Sequence, residues 1–119
     1  MSLREEDLAL LLDIYENCED IIEFTKGMKF YEFERDKRTI KAVERSYEII
    51  GIAANKISRE TQEKLNNIQW GQIIGLRNKI AHEYGEIKVE LLWEKAQSSV
   101  KELMKKLDDI EELKEFFKE

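Results

Sequence analysis

No proline, five glycines, one cysteine and one histidine occur in the 119 residues of this chain. Each scarcity excludes something. Without proline and with so little glycine, the sequence lacks the turn chemistry of a domain built from many short strands. With 39% charged residues it points instead to long amphipathic helices. Cys18 has no partner for an internal disulfide, and its place on an apolar helical stripe predicts a buried thiol in a reducing cytosol. No His or Cys cluster and no pair of Glu-x-x-His motifs is present, which argues against a metal centre, and no cofactor is expected. No apolar run approaches the roughly 20 residues of a membrane span. Glu5, Glu6 and Asp7 stand where a secretory signal would have its basic start. The expectation is a cytoplasmic protein without a membrane partner, folded as a single all-α domain over residues 1–119.

The net charge of −6 comes from acids and bases interleaved along the chain, not from a charged tail or arm. That balance excludes broad, sequence-blind nucleic-acid binding, which draws on many Lys and Arg contacts to phosphate. It leaves room for a local phosphate site.

Apolar residues recur at helical spacing in four stretches. Leu8, Leu11, Leu12, Tyr15, Cys18 and Ile22 mark the first helix, which fades near Gly27. Residues 26–35 form a connection whose aromatics Phe30, Tyr31 and Phe33 close the bundle end or border a cleft, and Asp36 is an N-cap candidate for the second helix. That helix carries Val43, Tyr47, Ile50, Ala54 and Ile57 on one face, and Gly51 with Ala53 and Ala54 suggests close approach of a neighbour. A polar break at 58–67 has room for one short helical turn, and Asn66 followed by Gln69 resembles a capping box for a third helix over 68–84, stopped by a left-handed Gly85. Val89, Leu92, Trp93, Ala96, Val100, Leu103 and Leu107 mark the fourth, with Leu113, Phe116 and Phe117 extending it or forming a short last helix. Trp70 and Trp93, at helical spacing beside Ile and Leu, read as core residues. The pattern predicts an antiparallel up-and-down bundle of four to five helices. The third helix is apolar over much of its circumference, through Trp70, Ile73, Ile74, Leu76, Ile80 and Ala81, which predicts a homodimer formed through it.

On this helix stands Arg77-Asn78-Lys79-Ile80-Ala81-His82-Glu83-Tyr84. A lone histidine is more often structural than catalytic. Its company alters the reading, because polar groups on a helix otherwise built for burial cost a few kcal/mol each unless they have partners or a task. The residue types suit cleavage of an RNA phosphodiester: an imidazole can accept the 2′-hydroxyl proton or donate one to the leaving 5′-oxygen, and a guanidinium can grip two phosphate oxygens. Asn78 could orient the imidazole or bind phosphate. Residues five apart on a helix diverge by about 140°, so Arg77 and His82 of one chain do not converge. Two copies of the helix meeting at a twofold axis would bring both pairs into one cleft and supply a base and an acid from a chain with one histidine.

The run Trp70-Gly71-Gln72-Ile73-Ile74-Gly75-Leu76-Arg77-Asn78, continuing to His82-Glu83-Tyr84, resembles the HepT-like branch of the HEPN superfamily, whose mark is Arg, four residues, His, one residue, Tyr. Asp36-Lys37-Arg38-Thr39, the run from Glu48 to Ala54, and Val89-Glu90-Leu91-Leu92-Trp93 resemble the family's other landmarks in order, so the likeness covers nearly the whole chain. The resemblance implies a helical homodimer and a metal-independent endoribonuclease toxin of a type II or type VII toxin–antitoxin pair. It implies catalytic residues Arg77 and His82 with Asn78 assisting, RNA as substrate, and a minimal nucleotidyltransferase as antitoxin that transfers AMP to Tyr84. Two positions depart from the family's pattern: Ile52, where Glu is common, and Lys88, where an acidic residue is common. A non-catalytic nucleotide-binding or interaction module that partners a nucleotidyltransferase, or a purely structural dimer, are the competing readings.

Overall fold

The computed structural model describes residues 2–117, and side chains through residue 115. Every regular element among them is helical. The helices are α1 (Glu5–Thr25), α2 (Phe30–Phe33), α3 (Lys37–Lys56), α4 (Arg59–Lys64), α5 (Trp70–His82), α6 (Gly85–Gln97), α7 (Ser99–Asp108) and α8 (Glu111–Phe117).

The long helices start and stop for local reasons. Three acids in the first turn of α1 complement its positive end. Gly27, at φ +76°, turns the chain after it in a conformation that costs other residues more. The Asp36 carboxylate accepts the Thr39 N–H at 3.0 Å, so the N-cap expected of Asp36 is in place. Buried Leu11, Ile14, Cys18 and Ile21 of α1 meet buried Val43, Tyr47, Ile50 and Ala54 of α3, and this pair forms the centre of the bundle. The α1 stripe is rotated slightly from its expected position: Ile14 and Ile21 are buried, whereas Leu12, Tyr15 and Ile22 are half-buried. Cys18 is inert in this setting, since burial pushes its thiol up to about 12.

The connecting aromatics divide. Phe33 is fully buried and its ring lies 5.2 Å from that of Trp93, with Phe30 at 6.1 Å from the same indole, so both close the bundle end. Tyr31 is 53% exposed under the Arg35 guanidinium.

Three sequence expectations are corrected. Asn66 caps nothing: Gln69 is the N-cap residue of α5, without a side-chain cap bond, and the helix start is anchored instead by the Trp70 indole N–H, which donates to the Leu65 carbonyl at 3.1 Å. The third helix stops at His82, with Glu83 extended, and Gly85 is left-handed at φ +61° as the first residue of α6, so it does not cap the helix before it. The fourth helix is two, broken at Ser98, whose hydroxyl donates back to the Glu94 carbonyl at 3.0 Å, a bond that competes with the helical ladder. The last helix exists as α8, but the side chains of Phe116 and Phe117 lie outside the described residues.

Asp7 ties the start of α1 to the start of α4. It is 3% exposed and accepts hydrogen bonds from the Ser58 N–H at 3.0 Å, the Ser58 hydroxyl at 2.6 Å and the Thr61 hydroxyl at 2.6 Å. Burial pushes its carboxyl up, but the Ser58 and Thr61 hydrogen bonds and the Arg4 charge together outweigh it and hold the group below its ordinary value. A depressed native value means the contribution is complete above the unfolded value of about 3.9 and fades as pH falls through the native one. Asp7→Asn is therefore expected to lose about 1–2 kcal/mol at pH 7 in urea melts. The loss should shrink toward pH 3; an equal loss at both pH values would assign it to packing instead.

Candidate active site on the exposed face of α5

Helix α5 packs mainly on α3 and more lightly on α6. Trp70 and Ile80 are buried and Ile73 and Leu76 half-buried on the side turned to the bundle. Gly71, Gly75, Asn78 and His82 follow at spacings of four, three and four residues, which places them on one stripe of the helix. Gly71, Asn78 and His82 are exposed along it, as is Gly75 between them. A Cβ added at Gly71 or Gly75 would meet nothing within 4 Å, so no part of the same chain covers this stripe. Ala81, expected among the apolar positions, is exposed as well.

Arg77 is held at its base. A Cβ on Gly51 would fall 2.8 Å from the Arg77 Cβ and 3.1 Å from its Cδ, so the aliphatic stem of the arginine lies directly on the glycine of α3. The close approach that Gly51 signals in the sequence is thus an approach to Arg77 itself. The stem is fixed and the exposed residue's guanidinium has no ion pair among the described residues.

The predicted site residues are therefore partly assembled. Asn78 and His82, one turn apart, share the open stripe, whereas Arg77 emerges about 140° from His82 around the axis. Neither the Asn78 nor the His82 side chain has a hydrogen bond among the described residues, and His82 is open to solvent, not sealed in the bundle. Tyr84 follows in extended backbone and is 79% exposed, with Ile87, three residues on, at 63%. Among the described residues no three His, Cys, Asp or Glu side chains are placed to hold a metal ion. No helix among them is long and apolar enough to cross a membrane.

The Lys88 departure has a local explanation. Its ammonium pairs with the half-buried Glu44 of α3, fastening the start of α6 to the helix under Arg77. Helical spacing alone puts Glu44 on the outer face of α3. A cross-helix pair of this kind leaves no trace in linear spacing. Ile52, the other departure, is half-buried on α3.

A helical bundle with an Arg-x4-His-x-Tyr motif on an exposed helix is a domain of the HEPN type. The model of the family described as "Ribonuclease HepT-like" matches residues 14–118, and the chain belongs to that family. Among its relatives, "Putative RNase MJ0127" of Methanocaldococcus jannaschii is 40% identical over 107 residues, covering 87% of this chain and 88% of the relative. "Putative RNase TTE0752" of Caldanaerobacter subterraneus is 36% identical, covering 82% and 87%. "Probable ribonuclease HepT" of Thermococcus cleftensis is 34% identical, covering 84% and 91%. No solved structure matches the chain.

Proposed function

We propose that the protein is a metal-independent endoribonuclease whose site forms where two copies of α5 meet, with Arg77 and His82 catalytic and Asn78 assisting. Family membership supports the ribonuclease activity, and one observation carries the placement: the stripe of Gly71, Gly75, Asn78 and His82 is open and uncovered by its own chain. Small residues let helix axes come close. A twofold crossing at the two glycines would set the Asn78 and His82 of each copy near the Arg77 of the other.

In such a cleft one imidazole takes the proton from the 2′-hydroxyl as its oxygen bonds to phosphorus. The second imidazole, protonated, gives a proton to the departing 5′-oxygen as the P–O bond breaks, leaving a 2′,3′-cyclic phosphate and a 5′-hydroxyl. The two guanidiniums hold the non-bridging oxygens as charge builds on them.

In this reading the chain is the toxin of a toxin–antitoxin pair in the cytoplasm, and its partner is a minimal nucleotidyltransferase. Transfer of AMP to the exposed Tyr84 would proceed by attack of the phenolic oxygen on the α-phosphorus of ATP, with pyrophosphate leaving. It would place a bulky anion beside His82 and block the cleft.

The test combines mass and activity. Sedimentation equilibrium is expected to give twice the chain mass, and RNA cleavage is expected to persist in excess EDTA. A monomer at all concentrations, or loss of cleavage on chelation, would refute the composite or the metal-independent site respectively. Binding of a nucleotidyltransferase with RNA left intact would favour the non-catalytic module.

A further inference from the structure

A cleft of about 360 Å³ opens between α3, α5 and the break that separates α6 from α7. Its size lies within the roughly 300–1,000 Å³ of sites for small organic ligands. Its floor is apolar, formed by Tyr47 and Ile50 of α3, Ile73 and Leu76 of α5, and Val100 and Leu103 of α7. The Tyr47 hydroxyl already donates to the Leu92 carbonyl at 3.1 Å, so the tyrosine offers the cleft a ring and no free donor.

The rim is cationic. Lys79, Lys95 and Lys106 come from three different helices, and among the described residues Glu102 is the one carboxylate that lines the cleft. Glu102 stands 3.6 Å from Lys106, while the ammonium groups of Lys79 and Lys95 have no ion pair or hydrogen bond among the described residues. On a chain of net charge −6 this is a local inversion of sign, and it selects an anionic occupant. An apolar slot bordered by ammonium groups, with Gln69 and Gln72 also lining it, fits a flat base attached to phosphates.

Position adds a third argument. Lys79 lies three residues before His82 on α5, so its side chain emerges about 60° around the axis and one turn along it. A strand held at His82 would pass Lys79 on its way into the cleft.

We infer that the cleft is a nucleotide subsite of the ribonuclease: it takes the base of a single-stranded RNA nucleotide next to the cleaved linkage, and Lys79, Lys95 and Lys106 hold the adjoining phosphates. The inference rests on the ribonuclease reading of α5. It goes beyond that reading by giving the enzyme a grip on unpaired RNA in a second cleft, which borders the twofold crossing at Gly75.

The test uses the full chain with His82→Ala, so that RNA stays intact, and a fluorescent single-stranded RNA octamer read by polarisation. Adding Lys95→Glu and Lys106→Glu is expected to weaken binding at least tenfold. It should also flatten the dependence of log affinity on log salt by about 1–2, at roughly 0.7 for each phosphate no longer neutralised. Adding Lys26→Glu and Lys56→Glu, outside the cleft, should change affinity less than threefold. Equal weakening by the two pairs, or by neither, overturns the subsite and leaves the ribonuclease reading in place. Failure of the His82→Ala protein to bind the octamer also overturns it, and failure of the unmutated protein to cleave RNA would remove the activity as well. A change of sedimentation mass in the Lys95→Glu, Lys106→Glu protein would show the cleft to be a surface for a second copy, again overturning the proposal. AMP supplies an independent probe: its amide shift changes should cluster at Leu76, Val100 and Leu103, and shifts confined elsewhere would overturn the assignment.

Discussion

Replacing His82 with alanine is expected to lower RNA cleavage by about 10²–10⁴-fold, the usual worth of a positioned proton-transfer group. The upper part of that range applies if two copies of this imidazole serve one site, because a single substitution then removes the base and the acid together. Arg77→Ala should cost about 10²–10³-fold through lost stabilisation of phosphate charge. The double variant should be little worse than His82→Ala alone, since groups that act as a unit are not additive. The structure makes this a clean experiment. Neither side chain has a hydrogen bond or ion pair among the described residues and His82 is exposed, so the melting temperature of His82→Ala should hardly move while activity falls, whereas Arg77→Ala also loses the packing of its stem on Gly51. Cleavage assays in EDTA decide the matter, and variants as active as the unmutated protein would show that the motif does no chemistry.

The separation of activity from stability reflects how the site is built, and that construction is only partly legible in the sequence. Asp36 is legible as an N-cap because the capping bond is local, spanning three residues to Thr39. Val43, Tyr47, Ile50, Ala54 and Ile57 are legible as one face because helical periodicity alone defines it, and all five are buried. The break at Ser98 is not, because neither proline nor glycine marks it. The only cue is a serine hydroxyl that can bond back to the preceding turn. The Asn66–Gln69 pair matches a capping pattern but loses to Trp70, whose indole reaches Leu65 and fixes the start of α5 from tertiary position. The three lysines around the cleft come from residues far apart in the chain, so no local pattern could join them. The candidate catalytic residues themselves are legible by type and by family likeness. What the sequence withholds is their orientation, above all that Arg77 rests on α3 while Asn78 and His82 face away from the bundle.

That difference of orientation makes Gly51 the most informative residue outside the motif. Gly51→Ala is expected to lower cleavage about a hundredfold while costing little stability. The added methyl would stand 2.8 Å from the Arg77 Cβ, 3.1 Å from its Cδ and 3.3 Å from its Cγ. The first of these atoms belongs to the root of the side chain and cannot swing aside, so the two helices must separate or Arg77 must abandon its path. Overpacking of this kind costs about 1–3 kcal/mol. Alanine recovers about 1 kcal/mol of that, because glycine is the poorer residue inside a helix. The net change in a melt should therefore be about 0–2 kcal/mol. Activity has no such compensation: a displacement near 1 Å at a catalytic group is enough to cost about 10²-fold. Sedimentation separates two ways of losing it. A Gly51→Ala protein that remains dimeric, melts near the parent and cleaves poorly would mean that α3 serves as the seat of the guanidinium. One that cleaves normally would mean that Arg77 does not need its present position, and the arginine would then have to be removed from the proposed mechanism.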